Sequence, residues 1–145
     1  MILKIFRMEH NEHVPEYKTE GAAGMDLYAA IDKAITLQPL ERRLIPTGIK
    51  IELEPGYEAQ IRPRSGLSIK YGISLINCVG TIDEDYRGEV CVPLVNVSNE
   101  AYTILPDERI AQMVITKYER AEIEVVTELS ETARGEGGFG STGKV

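Results

Sequence analysis

In the stretch LIPTGIKIEL (44–53), Ile49, Ile51 and Leu53 alternate with Lys50, Glu52 and Glu54. A period of two sends one set of side chains inward and the other to solvent, which predicts a half-buried β-strand. ILKIF (2–6), MDLYAA (25–30), AITLQ (34–38), GYEAQIRP (56–63), AYTIL (101–105), RIAQMVITKY (109–118) and EIEVVTEL (122–129) read as further strands. VCVPLVNV (90–97) is a buried-type run whose Pro93 predicts an edge strand or a bulge. Turn signals such as Glu54-Pro55-Gly56 recur about every 8–12 residues, the spacing of an all-β sandwich or barrel. Only RSGLSIKYG (64–72) predicts a short helical turn, and no segment sustains a 3.6 period.

The 145 residues fit one domain. Neither a repeat nor a linker interrupts residues 1–130, and the composition changes only from Glu131, where a Gly-rich arm begins. The chain lacks an 18-residue apolar run. Its opening, MILKIFRMEH, lacks the apolar region and cleavage site of a secretion signal, so cytoplasm is the expected compartment. Cys78 and Cys91 show no CxxC spacing and read as buried free thiols. A net charge of −7 argues against a general nucleic-acid binder. An anionic small ligand remains open, provided local arginines, backbone N–H groups or a metal ion receive it.

Three stretches are unusual for plain β-structure. RPRSGLS (62–68) offers a guanidinium at Arg64 and a hydroxyl at Ser65 to a phosphate; a solvated turn would have the same composition. In NCVGTIDEDYRGE (77–89), three successive acids are usual for a hairpin turn. Asp83 differs by abutting Thr81-Ile82, where strand becomes loop, and a partly shielded carboxylate can act as general base. Five of the ten residues from Arg134 to Gly143 are glycine, with Phe139 among them. Such a segment can wrap backbone N–H groups round an anion or be a disordered end, and a phenylalanine weighs against the latter. His10 and His13 form an HxxH pattern with no third ligand cluster, which reads as solvated histidines rather than a metal site.

Together these stretches resemble the trimeric dUTPases. Five motifs occur in order: AGMDLYA (23–29), PRSGLS (63–68), NCVGTIDEDYRGE (77–89), ERIAQM (108–113) and RGEGGFGSTG (134–143). One departure is Asp107, where the family usually has glycine after proline, in a turn that Asp also tolerates. The resemblance implies an all-β distorted jelly-roll, a barrel-like sandwich with one short helical turn and a flexible C-terminal arm over 131–145. It implies hydrolysis of dUTP to dUMP and pyrophosphate with Mg²⁺, in a homotrimer whose active sites lie between subunits. Neither nucleic acid nor membrane is an expected partner.

The same resemblance assigns roles. Asp83 is the general base, with Ser65 and Gln112 completing the catalytic set. Arg64, Ser65, Gly66 and Gln112 meet phosphates. Asn77 and the backbone at Gly80, Thr81, Ile82 and Asp83 read uracil, while Glu84 and Asp85 are left as turn residues. Tyr86 packs under the deoxyribose and leaves no room for a 2′-hydroxyl. Arg134, Phe139, Gly140, Ser141 and Thr142 close over the nucleotide, Phe139 by stacking on uracil. Asp26 holds a metal-bound water, the Mg²⁺ being ligated mainly by the triphosphate.

A dCTP deaminase of the same superfamily would carry a catalytic glutamate in the strand after the third motif, where this chain has Cys91-Val92-Pro93-Leu94-Val95. It would also carry paired serines where this chain has Ser65-Gly66. A non-catalytic module on the fold would lose an acid or the arm, yet Asp83, Tyr86, Arg134 and Phe139 are all present. A structural jelly-roll such as a capsid protein would not need the five motifs.

Overall fold

The computed structural model describes residues 1–9 and 11–138. Eleven strands and one helix are present among them: β1 (Lys4–Arg7), β2 (Gly24–Tyr28), β3 (Ile35–Leu37), β4 (Arg42–Pro46), β5 (Ile49–Glu52), β6 (Tyr57–Pro63), α1 (Ser65–Tyr71), β7 (Ile73–Leu75), β8 (Gly80–Ile82), β9 (Cys91–Asn96), β10 (Tyr102–Ile104) and β11 (Arg109–Lys117). The fold is all-β with one short helix, the jelly-roll of the expectation. A four-stranded sheet runs β2-β11-β6-β8, a three-stranded sheet β4-β9-β7, and two pairs, β1-β5 and β10-β3, complete the walls. Every strand pairing is antiparallel.

Alternation explains the core. In β5 the buried residues are Ile49 and Ile51; in β6, Ala59 and Ile61; in β2, Met25 and Leu27. With Leu37, Ile45, Ile73, Leu94, Ile104, Ile110 and Met113 they form one cluster. Each large apolar side chain buried there contributes about 1.5–3 kcal/mol. The alternating stretch at 44–53 is in fact two strands, because Gly48 (φ +65°) turns the chain between β4 and β5. A Cβ at Gly48 would lie 2.5 Å from the Asn11 Cβ. The buried Asn11 donates to the carbonyls of His13, Thr47 and Gly48 and receives the His13 N–H, so the loop after β1 is tied to this turn.

Two expectations are corrected. Pro93 sits in β9, the central strand of its sheet rather than an edge. Its carbonyl accepts the Ile76 N–H, one residue beyond the end of β7, and N and O of a strand residue point the same way. The missing proline N–H therefore faces Ile76, just past the end of β7, and its cost is confined to the one reciprocal bond of that terminal pair. Residues 122–129 form no strand: Ile123, Val125 and Leu129 are 88%, 94% and 87% exposed. A strand needs a neighbour for its backbone, and no described segment of this chain supplies one. Regular structure stops at Lys117, and residues 117–136 are exposed.

The helix matches expectation. Arg64 precedes it in an extended conformation, Leu67 is its buried anchor, and Gly72 (φ +67°) ends it by donating to Leu67 O and Ser68 O. Among the described residues no helix is long and apolar enough to cross a membrane. Both cysteines are free, but Cys78 is exposed rather than buried, because it lies in the loop between β7 and β8.

Candidate active site

Strand register assembles one cluster of polar side chains. Asp26 on β2 lies directly opposite Gln112 on β11, which lies opposite Arg62 on β6. The β2–β11 register advances from Tyr28–Arg109 to Leu27–Ala111, so Ile110 is an extra residue on β11. Without that bulge Arg109, three residues from Gln112, would face the other side of the sheet. With it, Arg109 joins Gln112 and Asp26 on one face.

The bulge has a direct consequence for Asp26, whose side chain is 14% exposed. Its Oδ2 lies 3.1 Å from Arg109 Nη1 and its Oδ1 3.3 Å from Arg64 Nε. Arg64 Nη1 also donates to the Arg109 carbonyl at 3.0 Å, which fixes the plane of the guanidinium. Two cations against one carboxylate leave a local excess of positive charge on an acidic protein, with Arg64 and Arg109 N–H groups free for an anion. Ser65 and Gly66, exposed, follow Arg64 immediately. Arg62 takes no part: it donates to Gln60 Oε1 and points to solvent.

Gln112 is set by its neighbours. Its Nε2 donates to Pro63 O at 3.0 Å. Its Oε1 lies 2.5 Å from where a Cβ at residue 24 would sit, so only glycine there leaves room for the carboxamide. One N–H of Gln112 remains for a ligand.

Behind this cluster, the Tyr102 hydroxyl donates to Glu108 Oε1, and Leu105 N–H donates to Glu108 Oε2 at 2.9 Å. Burial, reinforced by the Glu108 carboxylate, pushes the Tyr102 phenol far above its ordinary range, so it stays a donor. The Tyr102 ring packs on Tyr71 of α1 with centroids 5.0 Å apart. Glu108 thereby links the start of β11 to the helix that follows Arg64.

A second cluster lies on the loop that carries the chain from β7 in one sheet to β8 in the other, on β8 itself and on the loop after it, not on the hairpin that the sequence suggests. Asn77, Thr81, Asp83 and Tyr86 are exposed, Ile82 is half-buried and Gly80 is buried. Gly80 sits opposite Ile61, close enough that an added Cβ would meet Asn77 Nδ2 at 3.3 Å. Asp83 is exposed in the single chain, not partly shielded as its position after Ile82 suggests, because the strand ends at Ile82 and the chain turns outward. Glu84 is more than a turn residue. It receives the Gly56 N–H at 2.6 Å and the Tyr118 hydroxyl, which hold its carboxyl below the usual range. The Tyr86 hydroxyl donates to the Glu89 carbonyl at 3.0 Å.

The two clusters do not meet within one chain. Ile82 is in register with Ala59, whereas Gln112 is in register with Arg62. Those rows are about 10 Å apart along the strands, and β8 is separated from β2 by about 14 Å across the sheet. Asp83 is thus remote from Asp26, Arg64 and Gln112 of the same chain.

Arg134 bonds locally, Nε to Gly137 O at 2.8 Å, across a turn closed by the Gly137 N–H donating to Arg134 O. Phe139, Gly140, Ser141 and Thr142, together with His10, lie outside the described residues. His13 is not simply solvated: its ring stacks on Tyr28 at 4.5 Å, and its Nε2 lies 3.3 Å from Asp107 Oδ1. Arg109, Glu108, Gly24 and Gly88 were legible only as members of motifs, with no individual role.

A metal ion finds no cage of protein ligands: among the described residues no group of three His, Cys, Asp or Glu side chains could hold one. Asp26 engages both oxygens with guanidiniums, yet a carboxylate has about four lone-pair sites. The donor set fits a Mg²⁺ reached through water and carried mainly by a ligand's own oxygens.

An all-β fold that gathers two arginines, a carboxylate and a carboxamide on one sheet face, with a tyrosine-bearing loop after β8, has the donor set of proteins that take small phosphorylated ligands. The dUTPase family model matches residues 10–143, and the chain belongs to the dUTPase family. It is 59% identical over 143 residues, 99% of each chain, to the deoxyuridine 5′-triphosphate nucleotidohydrolase of Finegoldia magna. It is 60% identical over 134 residues, 92% of this chain and 87% of the relative, to that of Cytophaga hutchinsonii. The dUTPase of Staphylococcus bacteriophage 80alpha, solved with dUPNHPP, superposes with a TM-score of 0.89 at 29% identity over 99% of each chain.

Proposed function

We propose that this chain is a dUTP diphosphatase that converts dUTP to dUMP and pyrophosphate in a homotrimer, removing dUTP from the DNA precursor pool and supplying dUMP for thymidylate synthesis. The observation that carries the reading is the Asp26–Arg64–Arg109 cluster opposite Gln112, on a chain matched end to end by relatives named for dUTP hydrolysis. A solved relative at 29% identity holds dUPNHPP, an analogue of dUTP.

Arg64 and the free N–H of Gln112 bind phosphate oxygens, and Arg64 is held for this by Asp26 and the Arg109 carbonyl. Ser65 donates to the oxygen at the scissile bond, where charge grows as the bond breaks. Asp83 accepts a proton from the water that attacks the α-phosphorus. Asn77 and the backbone over Gly80–Ile82 read uracil, rejecting cytosine through mismatched polar groups. Tyr86 lies under the deoxyribose. Arg134, Phe139, Gly140, Ser141 and Thr142, in the arm from residue 131, close over the nucleotide and exclude water. Asp26 would hold a water of a Mg²⁺ carried mainly by the triphosphate, and that ion, when bound, would supply positive charge for the leaving pyrophosphate.

The separation of Asp83 from Asp26 along and across the sheet supports sites built between subunits. The exposed apolar residues Ile123, Val125 and Leu129 support association of further copies. The free thiols Cys78 and Cys91 suit a reducing, cytoplasmic compartment.

Incubating the protein and Mg²⁺ separately with dUTP, dCTP, dTTP and UTP, and following pyrophosphate, tests the reading. Release from dUTP alone is expected, and no release from dUTP overturns it. Sedimentation tests the trimer.

A further inference from the structure

Gly88 carries no assigned role, yet the position of Tyr86 depends on it. A Cβ at residue 88 would lie 2.3 Å from the Tyr86 hydroxyl oxygen, 2.5 Å from its Cζ and 2.9 Å from its Cε2. Nothing else comes so close there: the Tyr86 atoms are the three nearest neighbours of that Cβ. Gly88 is not among the positive-φ glycines, so its backbone suits any L-residue. The demand for glycine therefore comes from the Tyr86 ring and not from the turn.

The ring is folded back over its own loop, and the loop is anchored at the far end. The Tyr86 hydroxyl donates to the Glu89 carbonyl at 3.0 Å. The Glu89 carboxylate in turn receives the Gly48 N–H at 2.8 Å, and Val90 N–H donates to Ile49 O at 2.9 Å. The acceptor for Tyr86 is thus pinned to the β4–β5 turn, while the ring itself is 43% exposed. An exposed aromatic held by one hydrogen bond and one bare backbone position can be displaced without disturbing the core.

We infer that Gly88 is a specificity-determining positioning residue. It acts through Tyr86, setting how closely the phenol ring approaches the sugar and so how strongly a 2′-hydroxyl is excluded. The inference rests on the proposed placement of Tyr86 under the deoxyribose. Gly88→Ala pushes the ring off the Glu89 carbonyl and opens the space beneath the sugar, while Asp83, Arg64 and Gln112 are untouched.

The test compares kcat/KM for dUTP and UTP in wild type, Gly88→Ala, Tyr86→Ala and the double variant, with thermal unfolding of each. Gly88→Ala is expected to lower the dUTP/UTP ratio by about tenfold or more, as a site that loses a close steric fit does. The change falls on KM, with kcat for dUTP largely kept. In the double variant Gly88→Ala adds nothing to Tyr86→Ala, in either the ratio or the unfolding temperature, because the clashing partner is gone. An unchanged ratio in a folded Gly88→Ala overturns the inference, as does full additivity in the double variant. If Gly88→Ala alone fails to fold, rescue by Tyr86→Ala supports the inference, and failure of rescue overturns it. If wild type does not hydrolyse dUTP, the functional reading fails, and the unfolding temperatures of the four proteins still decide whether Gly88 acts through Tyr86.

Discussion

The Asp107 carboxylate lies 3.3 Å from His13 Nε2, and Asp107 adopts a left-handed conformation with φ +61°. Asp107 therefore bears backbone strain and returns a contact to the loop after β1. A left-handed L-residue costs about 1–2 kcal/mol, less for Asp. Asp107→Gly is expected to change stability little, relief of strain offsetting the lost contact, while Asp107→Ala destabilises by about 1–2 kcal/mol. Urea unfolding orders the three proteins, and an alanine variant as stable as the glycine one refutes the account.

Gly24→Ala places a Cβ 2.5 Å from Gln112 Oε1 and forces the carboxamide to turn. The Nε2 bond to Pro63 O breaks, and with it the orientation of the remaining N–H. Loss of one such oriented donor corresponds to about 10²-fold in kcat. Steady-state kinetics on dUTP measures it, and a variant with wild-type kcat shows that Gln112 is not held by this contact.

Asp83→Asn keeps the shape of the chain just after β8 and removes the proposed proton acceptor. Nucleotide binding is expected to stay near wild type, with turnover reduced about 10²–10⁴-fold, the range for a lost general base. Calorimetry with a non-hydrolysable analogue and single-turnover assays separate the two. Unchanged turnover removes Asp83 from its role.

Glu84 supplies a pH dependence. Its carboxyl is held below the ordinary value of 4.5, first by the Gly56 N–H and then by the Tyr118 hydroxyl. A depressed carboxylate contributes stability that is complete above the unfolded value and is lost as pH falls through the folded one. Wild type should exceed Glu84→Gln in unfolding temperature at pH 7, and the gap should begin to narrow as pH falls below 4.5 and close as it passes the lower folded value. A gap that stays constant as pH falls from 7 to the acid limit of folding would falsify the ionic origin of the contact.

Most strands were legible because burial on one face writes itself as alternation, as at Ile49 and Ile51. β7 and β8 were not, since β7 follows α1 directly and runs into Asn77 and Cys78, and β8 opens on Gly80, so neither short run stands apart from its loop. Pro93 misled because the rule against proline in inner strands concerns one N–H, and here that N–H would face past the end of β7. Residues 122–129 carry a strand's alternation, but alternation says only that a face is apolar, not which chain covers it. The site was legible as motifs and not as an arrangement. Arg109 reaches Asp26 only through the extra residue at Ile110, and a bulge leaves no mark in the local pattern. Gly24 and Gly88 were motif letters without a role of their own, although each stands where a Cβ would meet another side chain, Gln112 and Tyr86 respectively.

The distance between Asp83 and Asp26 in one subunit has a consequence for inheritance. If every site borrows its base from one chain and its arginines from another, damage is no longer private to the molecule that carries it. Asp83→Asn and Arg64→Ala subunits, each inactive alone, should on refolding together form some sites whole in every part, and activity should reappear in the mixture. The unit on which a mutation is judged is then the assembled site, and two defective copies can hide one another.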